Sequence, residues 1–205
     1  MGKIKEVDAR GLACPQPVVE TRKALEGPGA RDVAVLVDSI TSRDNVARFA
    51  RSTGCRVEIE ESAAGEYRVA IHREEGSRER LWEAPISCQA PAEYGTVVYV
   101  GCDQMGRGSE ELGRKLMGGF LRTWIDIEPR PWRILFVNSG VYCTTQGSEV
   151  LDSLHLLEER GVEIFSCGTC LEYFGLKEKL KAGRVTNMYE IIETLNRARR
   201  VITPH

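Results

Sequence analysis

The chain has 205 residues, 42% of them hydrophobic and 28% charged, with 28 Lys plus Arg against 30 Asp plus Glu. A net charge of -2 sets up no basic field to gather nucleic acid or an anionic membrane, and no run of ~18 apolar residues spans a bilayer. Seven cysteines, an odd number in a chain long enough to bury its own core, are expected to be reduced thiols; with no apolar leader before the first strand pattern, a cytoplasmic protein is expected.

Residues 4–9, "IKEVDA", alternate as a short strand, and the apolar positions after "CPQP", Val18, Val19, Ala24 and Leu25, suit a helix. "RDVAVLVD" reads as a second strand. Thr41 and Asp44 are spaced as a capping box for the helix "SRDNVARFARSTG", with Gly54 as its terminator. "RVEIEES" and "EYRVAIHR" flank "AAG" as a hairpin, so residues 1–73 predict a βαβαββ domain of the α+β class, a sheet with two helices on one face. Residues 74–95, rich in charge, Pro and Gly and containing Trp82 and Cys88, read as a linker.

From residue 96 the pattern changes to buried-type strands separated by helices. "TVVYVGC", "RILFVN" and "VEIFSC" are the strands, and "SEELGRKLMGGFLRTWIDI" and "SEVLDSLHLLEERG" the helices between them. "GLKEKLKAG" predicts a short helix and "RVTN" a further strand. "MYEIIETLNRARR" is a helix with Asn187 as cap and Glu190 three residues on, and "VIT" an edge strand. Residues 96–205 therefore predict a doubly wound parallel α/β domain.

Cys14 falls between the first strand and a helix, with prolines at 15 and 17. If the helix starts at Pro15, the thiol is its N-cap, where the N–H of Gln16 and the helix dipole favour a sulfur anion. The alternative reading is a small buried residue at a turn. The stretch "VDARGLACPQPVVETRKAL" resembles the signature of the TusA-like (SirA-type) sulfur-carrier family, with Cys14, Pro15, Pro17, Arg22 and Lys23 at its motif positions. The resemblance implies that Cys14 accepts persulfide sulfur from a cysteine desulfurase or another carrier and passes it to an acceptor protein.

Cys167 and Cys170 form a C-x-x-C pair straight after an apolar strand. Zinc would need two more ligands, and His72, His155 and His205 show no paired spacing, so no metal is expected. A dithiol-disulfide centre and a second sulfur-handling site both remain as readings of the pair. "VNSGV", "GSEVLDSLHLLEERGVEIFSCGTCLEYFGL" and "VTNMYEI" are similar to the DsrE-like domain of YedF-type proteins, which are linked to selenium and sulfur metabolism. That resemblance makes Cys167 and Cys170 both candidate acceptors. It implies a persulfide or perselenide carrier with no cofactor, and allows a homo-oligomer through the second domain. Tyr173 and Phe174 stand where sulfur-relay relatives carry basic residues.

The glycine-rich "GCDQMGRGSEELG" lacks both P-loop and dinucleotide spacing, and instead predicts a loop lining the crevice of Cys167 with Asp103 and Gln104 as polar walls. Cys55 and Cys102 read as packed thiols. Cys143, Asn138, Ser139 and Thr144 lie on another loop of the same sheet edge, and Trp124 and Trp132 as apolar contacts with the core.

Overall fold

The computed structural model describes residues 4–27, 32–62, 65–73 and 94–204. The chain forms two compact units, Met1–Cys88 and Gln89–His205. Most of the expected linker, including Trp82 and Cys88, lies outside the described residues. Its last two positions do not behave as linker, because Tyr94 packs against Trp132 with ring centroids 4.9 Å apart and Gly95 abuts the Trp132 side chain.

The first unit runs β1 (Lys5–Asp8), α1 (Gln16–Glu26), β2 (Asp32–Val37), α2 (Ile40–Ser52), β3 (Cys55–Glu61) and β4 (Tyr67–Arg73). Among the described residues the sheet order is β1-β2-β4-β3, with β1 parallel to β2 and the other pairs antiparallel. This is the expected βαβαββ arrangement. Alternation sets its packing: Val33, Val35 and Val37 stand opposite Ile71, Val69 and Tyr67, and all six are buried. The two helices pack on the sheet and on each other, burying Val18, Ala24 and Leu25 of α1 and Val46, Ala47 and Ala50 of α2. Each large apolar side chain so buried contributes about 1.5–3 kcal/mol.

The predicted cap of α2 is corrected by two residues. Ser39, in extended conformation, is the N-cap, and its Oγ accepts the Ser42 N–H at 3.1 Å. Thr41 is already the second residue of the helix and is buried, so it does not occupy the cap position. Gly54 does end the helix, at φ +78°, a conformation that glycine adopts without steric cost.

The second unit comprises β5 (Thr96–Val100), α3 (Glu110–Thr123), β6 (Arg133–Phe136), a 3-10 turn at Asn138–Thr144, α4 (Leu151–Glu159), β7 (Glu163–Cys167), α5 (Gly168–Tyr173), β8 (Arg184–Thr186), α6 (Met188–Arg197) and β9 (Arg200–Ile202). The described strands pair in the order β8-β7-β6-β5-β9, all parallel. Met117 and Leu121 of α3, Leu154 and Leu157 of α4 and Leu171 of α5 share one core with Val98, Val100, Ile134, Phe136 and Ile164. Alternate strand residues, Val97, Leu135 and Phe165, meet Ile191 of α6 on the other face. Helices on both faces of a parallel sheet make this the expected doubly wound domain.

Asn187 caps α6 by accepting the Glu190 N–H at 3.0 Å, as its spacing predicts. Two expectations are corrected. The helix α3 stops at Thr123 and does not run to Ile127; Trp124 closes it and packs edge-on against Phe120 at 6.0 Å. The short helix expected at 175–183 is displaced onto "GTCLEY", residues 168–173, leaving only a single 3-10 turn at Lys177–Lys179. The cause is Gly175, whose φ of +63° stops α5, while the Leu176 N–H bonds back to the Leu171 carbonyl at 2.7 Å. The two cysteines therefore sit in the first turn of a helix instead of ahead of one.

Ser39→Ala removes the hydroxyl cap of α2 and is expected to lower stability by about 1 kcal/mol in urea unfolding of the full chain. An unchanged midpoint would mean that Ser39 does not cap the helix.

Candidate functional site

Cys14 lies one residue before the cap of α1, not at it. The N-cap is Pro15, and Pro17 occupies the second helical position. The amides expected to hold a sulfur anion are spent on the chain's own carbonyls: Gln16 N–H donates to Ala13 O at 2.9 Å and Val18 N–H to Pro15 O at 3.0 Å, while the prolines have no N–H. Closing the turn from Ala13 to Gln16 removes the donor that the sequence assigned to the thiol.

What the loop provides instead is a fixed, partly exposed thiol. Ala9 N–H bonds to Leu36 O at 2.9 Å, and Gly11, at φ +72°, donates its N–H to Asp38 Oδ2 at 2.6 Å. The Arg10 guanidinium reaches Asp8 at 2.8 Å and Glu66 at 3.0 Å, and its hydrogen bonds hold the Asp8 carboxyl down to about 2. These exposed pairs contribute little stability, but they tie the loop to the ends of both neighbouring chain segments. Sequence reasoning did not single out Arg10, Asp38 or Glu66, although Arg10 stands inside the "DARGL" signature. Arg22 and Lys23 point along the exposed side of α1, paired to Glu26 at 2.6 Å and Glu20 at 2.7 Å. Cys55 of the same unit is buried beside Thr53, as expected of a packed thiol.

In the second unit the carboxyl ends of β5, β6 and β7 bring four thiols to one edge of the sheet. Cys167, 2% exposed, is the N-cap residue of α5 and faces the α6 side, while Cys170 is only partly buried. The Cys167 thiol hydrogen-bonds to Cys170, and this bond, followed by burial, pushes the Cys167 thiol well above its ordinary value. The Cys170 Sγ also accepts the backbone N–H of Asn138 at 3.1 Å. Asn138 takes φ +51°, a left-handed conformation that Asn tolerates better than most residues. The next residue serves a different sulfur: Ser139 Oγ donates to Cys102 Sγ at 3.4 Å and accepts the Asp103 N–H at 3.3 Å. The Tyr99 hydroxyl titrates above its ordinary range because burial disfavours its anion, with Cys167 and Cys170 adding to the effect.

The 3-10 turn that carries these donors passes so close to β5 that a Cβ on Gly140 would stand 2.3 Å from the Val100 carbonyl oxygen. Thr144, on the same loop, is buried and bonds to the Ser166 hydroxyl at 2.8 Å and to the Val141 carbonyl at 2.9 Å, so its work is structural.

Asp103 and Cys143 line a cavity of about 750 Å³ between α3 and residues 142–150, together with Arg114, Arg122 and Gln146. Cys167 and Cys170 do not line it, which corrects the expectation of one shared crevice. Gln104 is not a wall either: it packs on α3, with its Cβ 2.8 Å from where a Gly113 Cβ would stand. Cys143 is 7% exposed, and burial, with Asp103 and Cys102 adding, pushes its thiol up to about 12.

Tyr173 is fully outward beside the pair, and Phe174 packs between it and Tyr142 at 5.0 and 5.1 Å. Trp132 lies under Arg133, whose guanidinium is 4.1 Å from the ring. His72 pairs with Asp32 at 2.8 Å and His155 with the Lys181 carbonyl at 2.8 Å, while His205 lies outside the described residues. Among the described residues no group of three His, Cys, Asp or Glu side chains is arranged to hold a metal ion, and no helix is long and apolar enough to cross a membrane.

Residues 5–73 match the model of the sulfurtransferase TusA family and residues 132–204 that of the DsrE/DsrF-like family. A Methanocaldococcus jannaschii protein, MJ0990, provisionally named a sulfur carrier protein, is 32% identical over 71 residues, which are 34% of this chain and 95% of that protein. Among solved structures, a SirA-like protein from Desulfitobacterium hafniense is 36% identical (TM-score 0.32), matched over 35% of this chain and all of its own. A protein of unknown function from Methanobacterium thermoautotrophicum is 21% identical over 55% of this chain and all of its own (TM-score 0.41). The ychN protein from E. coli is 17% identical over 54% of this chain and 97% of its own (TM-score 0.42). The chain belongs to the TusA sulfurtransferase family through its first unit, and residues 132–204 of its second unit match the DsrE/DsrF-like model.

Two measurements check the ordering of the thiols. Because the folded Cys143 keeps its proton to about 12 while an exposed thiol loses it near 9.0, the folded state binds more protons between those values and stability falls as pH rises through that window. Denaturant midpoints followed from pH 8 upward should decline, and less so in Cys143→Ala. Under native conditions near pH 8, alkylation mapped by mass spectrometry should reach Cys14 and Cys170 at least about tenfold faster than Cys143 and Cys167. Equal rates would refute the assignment of the last two as enclosed.

Proposed function

We propose that the chain is a two-site sulfur carrier in which Cys14 holds sulfur as a persulfide and Cys170 receives it on the second unit. The donor is a protein of the cysteine desulfurase type or another persulfide carrier, and the final recipient an acceptor protein. Loading is a thiol exchange: the Cys14 sulfur attacks the outer sulfur of a donor persulfide, the donor S–S bond breaks, and the donor cysteine leaves as a thiolate. A perselenide follows the same path with selenium as the outer atom.

The observation that carries this reading is the presentation of Cys14. Within the span matched to the TusA family it is a partly exposed thiol on a loop pinned by Arg10 and Gly11, whereas Cys55 of the same unit is packed away. Of the pair in the second unit, Cys170 is the partly exposed residue, with two hydrogen-bond donors directed at its sulfur. A purely dithiol-disulfide role is the second reading, favoured by the Cys167–Cys170 contact.

Incubation with a cysteine desulfurase and cysteine should add about 32 Da to the Cys14 peptide. Cys14→Ser should abolish that adduct while leaving the stability within about 1 kcal/mol of the parent, because Cys14 is only partly buried and the change removes little packing. Undiminished loading of residues 1–73 in the variant would overturn the assignment.

A further inference from the structure

We infer that the second unit does more than hold sulfur: Cys167 resolves a persulfide on Cys170 and releases the outer sulfur as hydrogen sulfide, or as selenide where selenium is carried. The inference rests on the proposed role of Cys170 as acceptor and adds to it a persulfide-reducing activity.

Three features of the pair direct the chemistry. First, the Cys167 thiol lies in hydrogen-bond contact with Cys170 itself, so its target in a loaded protein is the inner sulfur, the Sγ of Cys170. Attack on an outer sulfur would merely move it to Cys167, whereas attack on the inner sulfur expels it. Second, the Asn138 N–H already bonds to that Sγ at 3.1 Å, placing a positive dipole on the atom that is attacked. Third, Cys167 is enclosed, at 2% exposure, while Cys170 is partly open. The outer sulfur of a Cys170 persulfide can therefore reach solvent and an incoming donor, and the resolving thiol cannot be loaded directly.

The step balances. A Cys170 persulfide anion and the Cys167 thiol become a Cys167–Cys170 disulfide and hydrosulfide: one S–S bond forms, one breaks, the outer sulfur is reduced by two electrons, and the two cysteine sulfurs are together oxidised by two. The proton of Cys167 leaves on the hydrosulfide. Cys167 is the extended N-cap residue and Cys170 stands in the first turn that follows, where their side chains are already in hydrogen-bond contact. A cellular dithiol then reopens the disulfide for another cycle. The hydrogen bond to Cys170 and burial both disfavour the Cys167 anion, which suppresses idle oxidation of the pair.

The test uses the full chain with Cys14→Ser, so that it is independent of loading at the first site. The reduced protein, freed of reductant, is treated with benzenethiosulfonate, which donates one sulfane sulfur and leaves a sulfinate without making sulfide. About one sulfide per Cys167–Cys170 disulfide is expected, with loss of two hydrogens across the two positions in peptide mapping. Adding Cys167→Ser should leave an adduct of about 32 Da on Cys170 and cut sulfide release at least about tenfold; adding Cys170→Ser should remove both adduct and disulfide. A stable adduct on Cys170 in the parent, sulfide release at an unchanged rate in Cys167→Ser, or no adduct and no sulfide in any form would each overturn the inference. The parent stoichiometry does not depend on how well the variants fold. A failure here leaves desulfurase loading of Cys14 untouched, and a failure of that loading leaves this result standing.

Discussion

Parallel pairing of β5, β6 and β7 is the constraint on which the second unit's chemistry depends. The register aligns Val100 with Phe136 and Phe136 with Ser166, so all three strands end at one edge of the sheet. Each chain segment must then return by a crossover helix, and the residues that follow each strand meet before they part. Cys102, Asn138 with Ser139, and Cys167 are far apart in sequence and adjacent here for that reason alone. An antiparallel strand in the middle would send one of the three to the opposite edge. The same closeness explains Gly140: the turn that delivers the Asn138 amide and the Ser139 hydroxyl to two different sulfurs has no room for a side chain over Val100.

Position relative to the two cores then separates thiols that are chemically identical. Alternation along β7 turns Ile164 and Ser166 to one face and Phe165 and Cys167 to the other, so Cys167 is enclosed beneath α6. Cys170, one turn on, emerges at the edge. Burial disfavours a sulfur anion because nothing in an apolar enclosure replaces its hydration, and Cys143 shows the same effect on the other face. An enclosed, protonated thiol touching an accessible one is an arrangement with two distinct roles. Two equally exposed cysteines would have none to distinguish them.

The first unit treats its loop cysteine differently. Cys14 is neither enclosed nor supplied with the first amides of α1, because the prolines have no N–H and Gln16, Val18 and Val19 donate to backbone carbonyls. Its position is set from outside, through Arg10 bridging to Glu66 and Gly11 to Asp38. A sulfur atom carried there would be held by few contacts beyond its own S–S bond. This contrasts with the second unit, where Cys170 is held by the Asn138 amide and by the enclosed Cys167.

Much of this was legible from residue order. Alternation and helical spacing determined the βαβαββ unit and the parallel α/β unit, since a strand buried on one face and a strand buried on two carry different apolar patterns. Gly54 and Asn187 marked helix ends because positive φ and side-chain capping are properties of the residue itself. The signature around Cys14 and the pair at 167 and 170 were equally visible. Sequence could not decide which groups a turn consumes or which way a strand faces. The cap of α2 moved from Thr41 to Ser39 because Thr41 was taken by the core. Gln16 was lost as a donor because a carbonyl three residues back claimed it. The cavity beside Cys143 proved separate from Cys167 because the two lie on opposite faces of the sheet. Local propensity is carried by neighbouring residues, whereas burial and hydrogen-bond partnership are set by segments that only the completed sheet brings together. For this reason the sequence identified the thiols, and only the tertiary structure distinguished the enclosed Cys167 from the accessible Cys170.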